Sequence, residues 1–202
     1  SIGSILTLSA QGDPLPGVGA RVVGLGNAYT AVRGNIWSLF HNPSTITGSE
    51  GVEAGAYFEQ RFILPELTFG NAGIIVPLTE NQSAGLSDGT NGFSGYRENQ
   101  TALTYAITVM DKISLGASAN LATVAIPNLG TAVTFFIDFG AHVQLSEELS
   151  VGASVYNTTR ASVETLTGTR EYFPTIITGG ISYQPSKQVL IVADVQKDVD
   201  RP

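Results

Sequence analysis

The sequence predicts an all-β chain: an antiparallel transmembrane β-barrel, with about nine strands present, carrying an N-terminal, partly helical hatch. Three observations lead there. From Gly51 onward, apolar residues alternate with polar or small ones at a period of two, which places the two sets on opposite faces of extended strands. The second face is built from Ser, Thr, Gly, Ala, Asn and Gln, and charged residues make up only 13% of the 202 residues, where roughly a quarter is usual. The connections also alternate between tight polar turns and longer stretches, as in barrels with short periplasmic turns and longer extracellular loops.

The chain opens with "SIGSILTLSAQG", whose short apolar run followed by Ser9-Ala10 reads as a signal-peptide remnant over residues 1–11. Residues 12–50 lack the alternation and read as a separate hatch or plug segment. Here Gly17, Gly19, Gly24 and Gly26 are interspersed with Ala and Val, a composition that lets backbone pack closely. In "IWSLFHNPS", Asn35 is placed to cap a short helix with Trp37, Leu39 and Phe40 on its apolar side, and Pro43 is placed to end it.

Residues 51–202 form the strand region. The alternation predicts strands at about 51–60, 66–78, 82–88, 98–109, 112–124, 131–145, 148–159, 172–185 and 188–196. In "TAVTFFIDFGAHVQ", Val133, Phe135, Ile137, Phe139, Ala141 and Val143 share one face; Thr134, Asp138, Gly140, His142 and Gln144 share the other. "LTENQ", "MDK", "SEE" and "PSK" are the tight turns, whereas "RFILPE", "SDGTNGFSGYR", "AIPNLG" and "NTTRASVETLTGTRE" are the longer connections. A soluble β-sandwich or secreted barrel is the competing arrangement, but its solvated face would carry many Lys, Glu and Arg. In a membrane barrel the apolar face meets lipid and the polar one, with Thr134, Asp138 and His142, lines the lumen. Nine is an odd number and bacterial single-chain barrels have even ones, so further C-terminal strands are expected to complete the barrel.

Composition narrows the chemistry. A formal net charge of -7 argues against nucleic acid as a partner, because phosphate recognition depends on Lys and Arg. With no Cys and only His41 and His142 as imidazoles, no metal site is expected, and no cofactor either. Asp138 and His142 lie about 13–14 Å apart along one strand face, at ~3.3 Å per residue. They therefore read as members of a lumenal polar network and not as an acid/base pair. No nucleophile elbow is present, and "GLGNAYTAV" lacks the third glycine of a dinucleotide fingerprint, so no catalytic residue is assigned. Arg21 and Arg33 are candidates for pairing with a lumenal acid such as Asp138; Arg33 could equally face periplasmic water.

The residues Gly19-x-Arg21, Leu25-Gly26-x-Ala28 and Trp37-Ser38-Leu39-Phe40-x-Asn42-Pro43 resemble the N-terminal signature of the long-chain fatty-acid transporter (FadL-like) superfamily of outer-membrane barrels. "YFEQRFILPELTFGNAGIIVPL" and "PTIITGGISYQPSKQVLIVADVQKDVD" are similar to its PorV/PorQ branch, found in Bacteroidetes. The resemblance implies a barrel of about fourteen strands, with an N-terminal hatch folded inward. Its matching hatch positions would be Gly19, Arg21, Gly24, Gly26, Ala28, Trp37, Asn42 and Pro43, with Phe40 and His41 beside them. It also implies a bacterial outer-membrane location and a non-enzymatic role in type IX secretion, with exported proteins or secretion components as partners. The alternative is an outer-membrane transporter of hydrophobic small molecules gated by the hatch, and a third reading is a structural or assembly role. An apolar lumenal pocket beside Trp37, Leu39 and Phe40 would favour transport.

Overall fold

The structure is a computed structural model and describes residues 17–60, 64, 68–127, 130–164 and 170–200. The expected signal remnant, residues 1–11, lies outside the described residues.

One antiparallel sheet holds nine strands in chain order. These are β1 (Glu53–Gln60), β2 (Thr68–Thr79), β3 (Gln82–Phe93), β4 (Tyr96–Val109), β5 (Ile113–Ile126), β6 (Gly130–Gln144), β7 (Leu149–Tyr156), β10 (Ile176–Ser186) and β11 (Val189–Asp198). A short hairpin, β8 (Ser162–Glu164) with β9 (Arg170–Tyr172), stands apart in the connection after β7. Every long strand expected from the alternation is present. Among the described residues β1 and β11 are the two edges of the sheet, which does not close. No helix among the described residues is long and apolar enough to cross a membrane, which says nothing about crossing by strands.

Some boundaries differ from expectation. "SDGTNGFSGYR" is not a loop: β3 runs on to Phe93, β4 starts at Tyr96, and these two residues pair across a two-residue turn. Gly92, at φ 115, supplies the backbone twist there, and the paired neighbour outweighs the weak strand propensity of its Gly, Ser, Asn and Asp. By the strand bounds the longer connections follow β1 and β7, while the expected longer connection "AIPNLG" is as short as the turns of the other rim, since β5 runs to Ile126 and β6 starts at Gly130. Finally, β7 stops at Tyr156 because Asn157 takes φ 51.

The sheet is inside out by the standards of a water-soluble protein. Leu103 is 63% exposed and Val133, Phe135, Phe139 and Ile191 are more than half exposed, while Thr104, Ser114, Ser118, Asn120 and His142 on the opposite face are buried. That inner face is covered, near the rim of tight turns, by the N-terminal segment. It comprises a one-turn helix α1 (Ala20–Gly24) and two 3-10 turns, Ile36–Phe40 and Pro43–Gly48. The expected single helix is thus two turns in series. Asn35 caps the first by accepting from the Trp37 amide at 3.1 Å. The first ends before Pro43 as expected, with Asn42 in extended conformation at φ -152 and ψ 110; Pro43 then opens the second, which Asn42 caps.

Candidate functional site: the covered inner face

Glycines make the cover possible. Inner-face Gly116 on β5 and Gly140 on β6 are register partners. A Cβ on Gly116 would stand 2.4 Å from the Pro43 carbonyl carbon, and one on Gly140 would stand 2.0 Å from Asn42 Oδ1. Gly73 and Gly85 admit Leu39 in the same way, and Gly152 admits the Thr30 carbonyl. Backbone therefore meets backbone, at a separation no larger side chain permits.

Asn42 is fully buried and uses its amide completely. Its Nδ2 donates to the Thr30 carbonyl at 2.7 Å and to the Ala141 carbonyl of β6 at 3.2 Å; its Oδ1 accepts from the Ser44 amide and hydroxyl. A buried amide matched on both ends stabilises its site, whereas one left half-matched would cost free energy. Below it, Thr47 donates to Ser114 of β5, and Ile36, Leu39, Ile46, Ile75 and Ala106 form an apolar cluster. Each fully buried Leu or Ile there is worth about 1.5–3 kcal/mol.

A second set of ties holds the stretch before Arg33. Asp194 of β11 accepts three hydrogen bonds on one oxygen, from the Tyr29 amide (3.0 Å), the Thr30 amide (3.0 Å) and the Thr30 hydroxyl (2.7 Å). Ser150 of β7 donates to the Ala31 carbonyl at 3.0 Å.

Beyond the segment lies a cavity of about 920 Å³, bounded by Phe40, His41 and Pro43 on one side and by the strands on the others. Glu98, Asp138, Asp194 and Asp198 face it together with hydroxyl and amide side chains, so its lining is mixed and acidic, not apolar. At its far side a polar chain crosses four strands. Tyr156 donates to Gln100, Gln100 to Asn120, and Asn120 to Asp138, whose other oxygen accepts from the Asn157 amide. The 157–175 connection folds back over this chain. Asn157 donates to the Phe173 carbonyl, and Phe173 packs on Phe136, which in turn contacts Tyr156 at 5.0 Å between ring centres.

One solved structure that this arrangement matches is a crystal structure of a Pseudomonas aeruginosa FadL homologue, with a TM-score of 0.62. The fold is that of a FadL-like barrel. The match covers 92% of this chain and 69% of the other at 11% identity, so the likeness speaks for the fold. No protein-family model matches the chain, and no curated protein does.

Within this FadL-like fold the candidate residues fall into distinct places. Gly19, at φ 110, lets Trp37 pack where a Cβ would stand 2.7 Å from the indole. Trp37 also meets Tyr57 of β1 edge-on at 6.0 Å. Gly24 and Gly26 are exposed, and nothing lies within 4 Å of a Cβ placed on them, so close packing applies to Gly17 and Gly19 alone; Gly26 instead takes φ 67. Ala28, Asn42 and Pro43 are buried, Phe40 and His41 half-buried, and Arg21 is exposed on α1. Burial lowers the pKa of His41 to about 4, against smaller opposing effects of the Val18 carbonyl and Asp194, so its ring is neutral near pH 7.

On the strands, Thr134, Asp138 and His142 all face inward, His142 buried under the cover and Thr134 buried at the other end of β6, where its hydroxyl donates to the Ser162 carbonyl at 3.4 Å. Asp138 belongs to the polar chain above; His142 makes no hydrogen bond through its ring among the described residues. Arg33 does not pair with Asp138. It donates to the Thr108 hydroxyl at 3.0 Å and the Thr47 carbonyl at 3.3 Å, because it lies at the tight-turn rim while Asp138 lies toward the other. Among the described residues no cluster of His, Cys, Asp and Glu is arranged to hold a metal ion.

Three contributors escaped the sequence reading. Phe136 occupies an inward position of β6 that the alternation assigns to small or polar side chains. Asp194 and Thr30 meet across 164 residues, and nothing local in either stretch signals the other. An inward-parity carboxylate on a strand otherwise rich in Val and Ile was the one available hint.

Proposed function

We propose that this protein is a non-enzymatic barrel of the bacterial outer membrane whose residues 12–50 form a hatch in the lumen. We assign it to the PorV/PorQ-like kind, serving type IX secretion by receiving exported proteins or secretion components. The observation that carries the reading is the pairing of an exposed aliphatic outer face with a polar, plugged inner face. Hydrocarbon accepts the first without cost, and ladder hydrogen bonds satisfy each strand on every side where it has a neighbour. Gly19, Ala28, Trp37, Phe40, His41, Asn42 and Pro43 are the hatch residues that touch or face its surroundings; Arg21, Gly24 and Gly26 lie on its exposed side. The mixed polar lining of the cavity supports a polar protein partner over a fatty acid, whose chain needs a mostly apolar cavity.

A second reading, transport of hydrophobic small molecules, draws on the FadL-like fold and on Leu39 and Phe40 at the cavity edge. Deletion of the gene followed by a census of surface-exported proteins separates the two. Loss of exported proteins from the surface is expected; unchanged export sinks the secretion role. For transport, lipid uptake that persists unaltered after removal of residues 17–44 excludes a gating hatch.

A further inference from the structure

We propose that the hatch is built in two parts, a fixed anchor over residues 36–48 and a movable flap over residues 17–32, with Asp194 as the keeper that holds the flap shut. The inference rests on the hatch reading and assigns its moving part. The two parts are held by different physics. In the anchor, Ser44, Thr45 and Ile46 are fully buried, and the backbone around Pro43 is set into the glycine sites of β5 and β6. Moving it would strip an apolar cluster and every bond of Asn42 at once.

The flap is seated in this way only at its C-terminal end, where Thr30 and Ala31 lie against Gly152 of β7. Arg21, Val23, Gly24, Gly26 and Asn27 are exposed; of its buried side chains, Val22, Tyr29 and Val32 form a cluster with Leu25, Trp37 and Val192, and Val18, Ala28, Thr30 and Ala31 are buried beside them. Its polar ties to the wall converge on two residues, Thr30 and Ala31. Three of those ties end on one oxygen of Asp194, and hydrogen bonds to a carboxylate are about twice as strong as neutral ones. Ser150 to Ala31 is a further tie to the wall, and the flap is tied to the anchor by Asn42 to Thr30, Ser38 to the Val32 carbonyl and His41 to the Val18 carbonyl. Between the parts stands Gly34, at φ 73, set against Gly48 so closely that a Cβ would lie 2.6 Å from the Gly48 carbonyl oxygen. A left-handed glycine clamped to the anchor is a pivot for what precedes it.

Asp194 borders the same cavity as the flap, and its second oxygen has no hydrogen-bond partner among the described residues. Asp194 is thus a positioning residue on the barrel wall, and loss of its carboxylate frees the flap while the anchor stays.

Amide hydrogen exchange on the full-length protein in detergent or lipid tests this. In Asp194→Ala, exchange across 17–32 is expected to quicken at least tenfold, with less than a twofold change across 36–48. A cross-link supplies the control that the variant is folded. The chain has no Cys, and a Cβ on Gly180 would lie 3.0 Å from the Thr30 Cβ, so an outward shift of the flap by about half an ångström brings Thr30→Cys and Gly180→Cys into disulfide range in the Asp194→Ala background, which also removes the carboxylate that the new Cβ would meet. Oxidised, this variant should regain flap protection; reduced, it should lose it. Equal quickening in both parts, unchanged protection in the flap, or a cross-link that restores nothing would each overturn the keeper. Conductance in planar bilayers judges the hatch separately. A flap freed without added conductance leaves the keeper standing and removes the gating role.

Discussion

The two faces of the sheet are built from the same strands by opposite rules. The outer face carries Leu103, Leu121, Val133, Phe135 and Phe139, all at least 49% exposed, whereas the inner face buries Ser, Thr, Asn and a band of glycines beneath the N-terminal segment. Alternation alone produces both faces and does not say which one is covered. What decides is the size of the side chains. Aliphatic groups tolerate any fluid neighbour of hydrocarbon type, but a backbone seated on backbone requires the absence of a Cβ at each point of contact. The outer face should therefore be sensitive to charge and insensitive to shape, and the inner face the reverse.

The largest expected effect breaks the inner face by shape. Gly140→Leu places a side chain where Asn42 Oδ1 would be 2.0 Å from its Cβ and Pro43 Cδ 2.9 Å away. The Asn42 and Pro43 anchor cannot stay seated, and the cost is expected to exceed the ~1–3 kcal/mol of ordinary overpacking. The neighbouring outer-face change Phe139→Leu should cost less than about 1.5 kcal/mol. Denaturant unfolding of both variants, followed by the emission of Trp37, measures the contrast. Comparable stabilities would show that the glycine band is not what seats the segment.

Charge then tests the outer face. Leu103→Arg, near the middle of β4 and 63% exposed, is expected to destabilise the protein in lipid by about 2–4 kcal/mol, the cost of a cation at the bilayer midplane of a barrel. Reversible folding into vesicles provides the measurement. A change below about 0.5 kcal/mol would place this face in water instead.

How much of this was legible follows from the range of each interaction. The nine long strands were readable because a period of two is written into adjacent residues, and so was the poverty of charge that sets the polar face indoors. The Asn35 cap was readable because donor and acceptor lie two residues apart. The extension of β3 to Phe93 was not, since its partner Tyr96 outweighs a Gly- and Asn-rich composition only once the hairpin is formed. The stop at Pro43 was readable from the restriction it places on Asn42, but the second turn that it opens was not, since Asn42 is held by Ala141 of β6. The Asp194–Thr30 tie and the inward Phe136 depend on which strands become neighbours of which loops, and no local pattern carries that.

The smallest effect concerns His41, whose position between the two regions makes it a gauge of how firmly they are joined. Burial holds its pKa at about 4 in the folded protein, while an unfolded histidine titrates near 6.5. A base with a depressed folded pKa takes up its proton first in the unfolded or undocked state. Stability is then fully present above about pH 6.5, declines as the pH falls toward 4, and changes little from this source below that. Because the ring is only half-buried, about 1–2 kcal/mol is expected across the window, less than the full shift would give. The lone Trp37 lies in the 3-10 turn that His41 closes and reports undocking directly. Denaturant midpoints from pH 7.5 to 4.5 should slope downward in the native chain and more weakly in His41→Phe. Identical slopes in the two would assign the acid sensitivity to the carboxylates of the cavity, and would show that the ring joins the segment to its surroundings by packing alone.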